Sequence, residues 1–160
     1  MSTLLITNAQ VITPERVLPG SAVCVEDGRI AAVGAPGEPA QSAPDETVDA
    51  GGAFLAPGFI DLHCHGLLRW SVDVGAGDLA EICRVLPRYG VTGWLPTLCP
   101  RPKGADAEYA ALLAEASVQG AAILGLHFEG PFLTLTGALP PEAIGEADPG
   151  RVRSLIEAAA

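Results

Sequence analysis

The chain has 160 residues, room for one ordinary domain or parts of two. Nearly half of them are apolar, which argues against disorder as a description of the whole chain. A net charge of −10 argues against nucleic acid or an anionic membrane surface as partner, but leaves a phosphorylated small substrate open, because a local pocket can be positive on an acidic protein.

The start, Met1–Asn8, has no basic region ahead of a long apolar core, so no signal peptide is expected. No apolar run reaches the length of a membrane-spanning helix. Cys24, Cys64, Cys83 and Cys99 show no C-x-x-C spacing, which fits reduced thiols in a soluble, cytoplasmic protein.

Residues 3–12 are β-rich and end at Thr13-Pro14. A second strand is expected at 21–26, and Asp27-Gly28 then turns the chain into a third at 29–34. Strand, Asp-Gly, strand is a strong hairpin signal. Residues 35–47, rich in Pro, Ala, Ser and acidic groups, read as a surface loop. A short strand at 48–50 precedes Gly51-Gly52, and Phe54–Pro57 leads onward. Residues 1–56 thus read as a small antiparallel β module.

From residue 57 the rhythm changes. A strand at 58–63 is followed by a helix over 77–88, with Asp78 as its N-cap and Glu81 three residues later. A strand at 91–97, a helix at 105–118 and a strand at 122–128 come next. After a loop at 130–147, a helix starts at Asp148-Pro149, an N-cap followed by Pro at the first helical position. Alternating strands and helices predict β-α units and a parallel sheet over 57–160. No Gly, Pro or polar turn caps the final helix, and three β-α units are too few to close a barrel of about 250 residues. The expectation is the amino-terminal part of something larger.

The chemistry is concentrated at two strand ends. In Ala56-Pro57-Gly58-Phe59-Ile60-Asp61-Leu62-His63-Cys64-His65-Gly66, alternation along a strand sends His63 and His65 to one side and Cys64 to the other. Two neutral imidazoles can then meet on one metal ion. The remaining histidine lies in Gly125-Leu126-His127-Phe128-Glu129-Gly130-Pro131-Phe132, where His127 and Glu129 are again two apart. Asp61, on the His63 face, reads either as a carboxylate orienting that ligand or as a structural group. Thr97 reads as a capping hydroxyl or a site-lining one. Cys99 has no basic neighbour to activate it and reads as an ordinary small residue, and Trp70 and Trp94 as packing residues.

A β module leading into Pro-Gly-Phe-Ile-Asp-x-His-x-His-Gly resembles the amidohydrolase superfamily. The His127 segment, with Gly90-Val91-Thr92-Gly93-Trp94-Leu95-Pro96-Thr97, resembles the N-acetylglucosamine-6-phosphate deacetylase family within it. The resemblance implies an α/β fold: the first portion of a metal-dependent (β/α)8 TIM-like barrel, preceded by a small antiparallel β-sandwich module. It implies hydrolysis of the acetamide of N-acetylglucosamine 6-phosphate, with Glu129 as a metal ligand, His63 and His65 as ligands of one or a second ion, and His127 facing the substrate. The implied cofactor is a divalent metal, zinc or else iron, manganese or cobalt, bound as one or two ions. The implied assembly is a homodimer. Two further histidine ligands and the catalytic Asp of the family would follow Ala160, which makes activity of these 160 residues alone unexpected. The family's Gly-Ala-His is here Gly137-Ala138-Leu139, so a histidine associated with the sugar phosphate is replaced by Leu139. The alternatives are another superfamily hydrolase, such as a cyclic amidase, or a non-catalytic remnant that binds metal or a partner chain.

Overall fold

The computed structural model describes residues 2–34 and 43–160; the 35–42 part of the expected surface loop lies outside them. The chain divides into two compact units, Met1–Pro57 and Gly58–Ala160.

The first unit is one five-stranded sheet. Strands β1 (Thr3–Ile12), β2 (Val17–Glu26) and β3 (Arg29–Gly34) form an antiparallel meander, in the order β3-β2-β1. Asp27 and Gly28 connect β2 to β3 with φ values of 48° and 76°. Both are left-handed, as the turn that matches strand twist requires. β4 (Glu46–Asp49) and β5 (Phe54–Leu55) both pair with β1 in parallel. The sheet is therefore mixed, where the sequence suggested an antiparallel module. Local hairpin signals report only the turns between successive strands, and β4 reaches β1 across a long connection. β2 also begins four residues earlier than the sequence suggested. Ala9 pairs with Ser21 and Val11 with Leu18, so Pro19 and Gly20 form a bulge opposite Gln10, a place where a proline need not donate to the ladder. Ala9, Val11 and Val23 form the small core of this sheet.

The second unit is a parallel sheet covered by helices. Its central strand is β9 (Val91–Leu98), paired in parallel with β6 (Phe59–Cys64), β10 (Ala122–Ile123) and β11 (His127–Phe128). Between β6 and β9 come a two-residue hairpin, β7 (Gly66–Leu67) with β8 (Trp70–Ser71), and helix α1 (Ala76–Val85). Helix α2 (Ala105–Ala114) joins β9 to β10, and α3 (Pro149–Ala158) follows β11. The sequence suggested one strand over 122–128; Gly125, at φ 149°, separates two short ones.

Helix α1 shows how the core is built. Leu79, Ile82, Cys83 and Leu86 recur at helical spacing and are all buried, against Trp94 and Leu98 of β9 and Leu113 of α2. The Trp94 indole N–H donates to Cys83 Sγ at 3.3 Å. The helix starts at Ala76, two residues before the expected cap, so the Asp78 carboxylate instead accepts the Ser71 N–H at 2.9 Å. It ends early because Pro87 has no N–H to give to the Cys83 carbonyl. That carbonyl accepts the Ala121 N–H at 2.9 Å, which ties the end of α1 to the start of β10. Helix α2 stops at Ala114, short of the expected 118, and Ala116 and Val118 pack on the core from the following loop. Helix α3 begins as the sequence indicates: the Asp148 carboxylate accepts from the Gly150 and Arg151 N–H groups. Arg151 Nε reaches Asp106 Oδ2 at 2.8 Å, joining α3 to α2. Among the described residues no helix is long and apolar enough to cross a membrane.

Gly120 is the tightest point of the α1–β10 junction. Its φ is 108°, and a Cβ there would lie 2.2 Å from the Cys83 carbonyl oxygen. Gly120→Ala therefore combines backbone strain with a clash against main chain, and is expected to lower stability by at least about 2 kcal/mol. Urea unfolding followed by Trp94 fluorescence measures this; an unchanged midpoint would contradict the packing described.

Candidate metal centre

Three parallel strands deliver polar side chains to one place. Strand β6 ends at Cys64, and His63 and His65 flank that residue on the same side, their Nε2 atoms 3.2 Å apart. Cys64 points the other way and packs against the core of the unit. Glu129 follows β11, and its N–H extends the pairing by reaching the Leu98 carbonyl at 3.4 Å. This aims its Oε2 at both histidines, 2.7 Å from His65 Nε2 and 3.4 Å from His63 Nε2.

His127 stands on the same side. Its ring packs edge-on against His63, with centroids 4.7 Å apart. Burial, and next the neighbouring His63 ring, hold its imidazole below the ordinary histidine range, so it is neutral at pH 7. Its Nδ1 lies 3.1 Å from the Thr97 hydroxyl.

Thr97 joins the strands. It is fully buried near the end of β9, and its Oγ1 accepts the Cys64 N–H at 2.9 Å. One hydroxyl thus fixes the backbone between the two histidines of β6 and the ring of His127. Asp61 does not reach the histidine rings: its Oδ1 accepts the His63 backbone N–H at 3.1 Å, a local contact. Trp94 is wholly buried, as its reading as a packing residue requires.

A second group, Asp73 and Cys99, was missed by sequence reasoning. Cys99 Sγ lies 3.5 Å from His65 Nδ1, and the Cys99 N–H donates to Asp73 Oδ1 at 3.3 Å. Burial, then the contact with Asp73, push the thiol up to about 12. Cys99 follows Thr97 by two residues, the same spacing as His63/His65 and His127/Glu129, and that was a usable signal. Asp73 lies after the β7–β8 hairpin, where no spacing rule points to it.

His63, His65 and Glu129 each offer a ligand atom, and these lie within 4.8 Å of one another. Ligand atoms about 2.0–2.1 Å from a tetrahedral zinc stand roughly 3.3 Å apart. The separations of 3.2 and 3.4 Å match that spread, while the 2.7 Å contact is a hydrogen bond that a cation would open. Two imidazoles and a carboxylate suit a borderline divalent ion. The residues fit such an ion. Beside them lies an open cavity of about 740 Å³, also lined by Cys99 and by the segment Leu133, Leu135 and Thr136–Leu139.

A Bacillus subtilis N-acetylglucosamine-6-phosphate deacetylase is 31% identical over 156 residues, covering 91% of this chain and 39% of the relative. The chain is similar to N-acetylglucosamine-6-phosphate deacetylases. The Rattus norvegicus deacetylase is 40% identical over 100 residues, covering 56% of this chain and 24% of the relative. A structure of the Mycobacterium smegmatis deacetylase variant, solved with N-acetyl-D-glucosamine-6-phosphate, matches 99% of this chain with a TM-score of 0.77 at 27% identity. The chain spans 24% to 39% of the length of these two curated relatives, and 41% of the solved one. No family model matches it.

Thr97→Val keeps shape but removes the acceptor, leaving the part-buried Cys64 N–H without its partner. The expected cost is about 1–3 kcal/mol in urea unfolding, with Thr97→Ser close to wild type. A destabilised Thr97→Ser beside a Thr97→Val close to wild type would mean that the methyl, rather than the hydroxyl, secures this junction.

Proposed function

We propose that this chain is the amino-terminal part of a (β/α)8-barrel hydrolase, preceded by its β module. It removes the acetyl group of N-acetylglucosamine 6-phosphate to give glucosamine 6-phosphate and acetate. The observation that carries this reading is the meeting of His63, His65 and Glu129 at the carboxyl ends of two parallel strands, beside a cavity, in a chain similar to deacetylases. In parallel β/α proteins, ligands bind at that end of the strands. The reading includes a cytoplasmic homodimer.

His63, His65 and Glu129 would hold one divalent ion, or share two; zinc is the best match, and iron, manganese or cobalt suit the same N/O set. Such an ion, when bound, brings a water's pKa toward neutrality and polarises the amide carbonyl. The protein's own work is positional. Glu129 brings a carboxylate oxygen to both imidazoles, and Thr97 secures both histidine-bearing strands. The neutral, partly buried His127 faces the substrate and can hydrogen-bond it through the ring nitrogen that Thr97 leaves free. The proton for the departing amine falls to an Asp that the resemblance places on a later strand.

The phosphate end is less well provided. None of the ten residues lining the cavity is Lys or Arg, and Leu139 occupies the position at which the resembling family carries histidine.

Two outcomes test this reading in the complete protein that carries the chain. Glu129→Gln is expected to lower bound zinc, measured by elemental analysis, and to slow acetate release from N-acetylglucosamine 6-phosphate by more than about 100-fold, because altering even an outer partner of a ligand typically costs 10–100-fold. Undiminished metal and activity would rule out the site. Leu139→His is expected to lower KM for the phosphorylated sugar with little change in kcat, as for a contact made equally in ground and transition states. An unchanged KM would place the phosphate elsewhere.

A further inference from the structure

His65 is held at both ring nitrogens. Nε2 lies 2.7 Å from Glu129 and 3.2 Å from His63, while Nδ1 faces Cys99 Sγ at 3.5 Å. Behind the thiol stands Asp73, and donor atoms of His65, Asp73 and Cys99 lie within 4.8 Å of one another. The β7–β8 hairpin fixes this arrangement. The Val72 N–H donates to the His65 carbonyl at 2.8 Å, and the Asp73 N–H to Ser71 Oγ at 3.2 Å. Arg101 Nη2 then grips both the Asp73 carbonyl and its Oδ1, at 3.0 and 3.3 Å.

These three side chains could be read as a second cation site. Two features weigh against that. The Arg101 guanidinium already lies against the Asp73 carboxylate, Nη2 to Oδ1 at 3.3 Å, and a cysteine in its ordinary thiol form carries no charge at pH 7. What remains is a neutral thiol between an imidazole nitrogen and a fixed carboxylate.

We propose that Asp73 and Cys99 form a hydrogen-bond relay that sets the tautomer of His65 and so positions its Nε2 to bind a metal ion. This rests on the metal centre proposed above. A metal-binding imidazole presents a lone pair at one nitrogen and keeps its hydrogen on the other, where a second group receives it. A thiol offers one weak donor and one weak acceptor. With its S–H directed to Asp73, its sulfur accepts the Nδ1–H of His65, and the Nε2 lone pair faces His63 and Glu129. With its S–H turned to Nδ1, the ring hydrogen sits on Nε2 and donates to Glu129. Passing between these states moves one hydrogen from Nε2 to Nδ1 and rotates the thiol; no proton is gained or lost. Asp73 and Cys99 are thus positioning residues, acting only through His65.

The test uses the complete protein, with zinc affinity read by chelator competition and the His65 ring read by 15N chemical shifts. Cys99→Ala is expected to weaken zinc binding about 10–100-fold, the range for loss of a ligand's outer partner. Cys99→Ser, which keeps a donor and an acceptor, is expected to restore most of it. In the zinc-free protein Cys99→Ala should shift His65 Nδ1, and Cys99→Ser should not. Wild-type zinc affinity and an unmoved Nδ1 shift in Cys99→Ala would overturn the relay, as would a serine variant no better than alanine. A merely structural Cys99 would lower the unfolding midpoint and leave the ring shift alone. A wild-type protein that binds no zinc would remove the metal centre instead, and the zinc-free ring shifts would still decide the relay.

Discussion

Everything at the candidate centre depends on the parallel pairing of β9 with β6 on one side and β11 on the other. A parallel ladder keeps neighbouring strands in step, so residues near their carboxyl ends come to the same level. The ladder alone does not fix side chains to the accuracy that chemistry needs. The buried Thr97 hydroxyl supplies that, bonding the Cys64 N–H of one neighbour and lying against the His127 ring of the other. The helices matter to the site chiefly through the core they close over β9, where Trp94 and Leu98 meet α1 and α2.

The centre is also an electrostatic compromise. One carboxylate, Glu129, stands between the imidazoles of His63 and His65, and all three side chains are partly exposed, so water reaches the group. Burial and the neighbouring His63 ring hold the His127 imidazole below the ordinary histidine range. Cys99 and Asp73 sit on the far side of His65, where Arg101 balances the carboxylate. The arrangement keeps lone pairs pointed at a common centre while confining strong ion pairing to its margin.

Three strand ends carry their polar groups two residues apart: His63 and His65, Thr97 and Cys99, His127 and Glu129. The first and third pairs were legible because histidine and glutamate announce their chemistry. The middle pair was undervalued because Thr and Cys are common packing residues, and only their neighbours show what they touch. Similar limits governed the fold. The Asp27-Gly28 hairpin and the Asp148 cap of α3 were local signals and appear as expected. The parallel joining of β4 and β5 to β1 was not local, nor was the break in the strand expected over 122–128.

The sequence by itself determined the alternation of strands and helices after residue 57, the Asp27-Gly28 turn and the Asp148 cap, and the sidedness of His63, His65, His127 and Glu129, because all follow from periods of two and 3.6 and from single-residue backbone preferences. Only the tertiary structure decided which strands lie side by side and at what register. That choice brought Thr97 between two histidine-bearing strands and returned Asp73 to the back of His65. Such contacts join residues 30 or more apart in the chain, or lie beyond a hairpin, and they are set by how the whole core packs rather than by any local pattern.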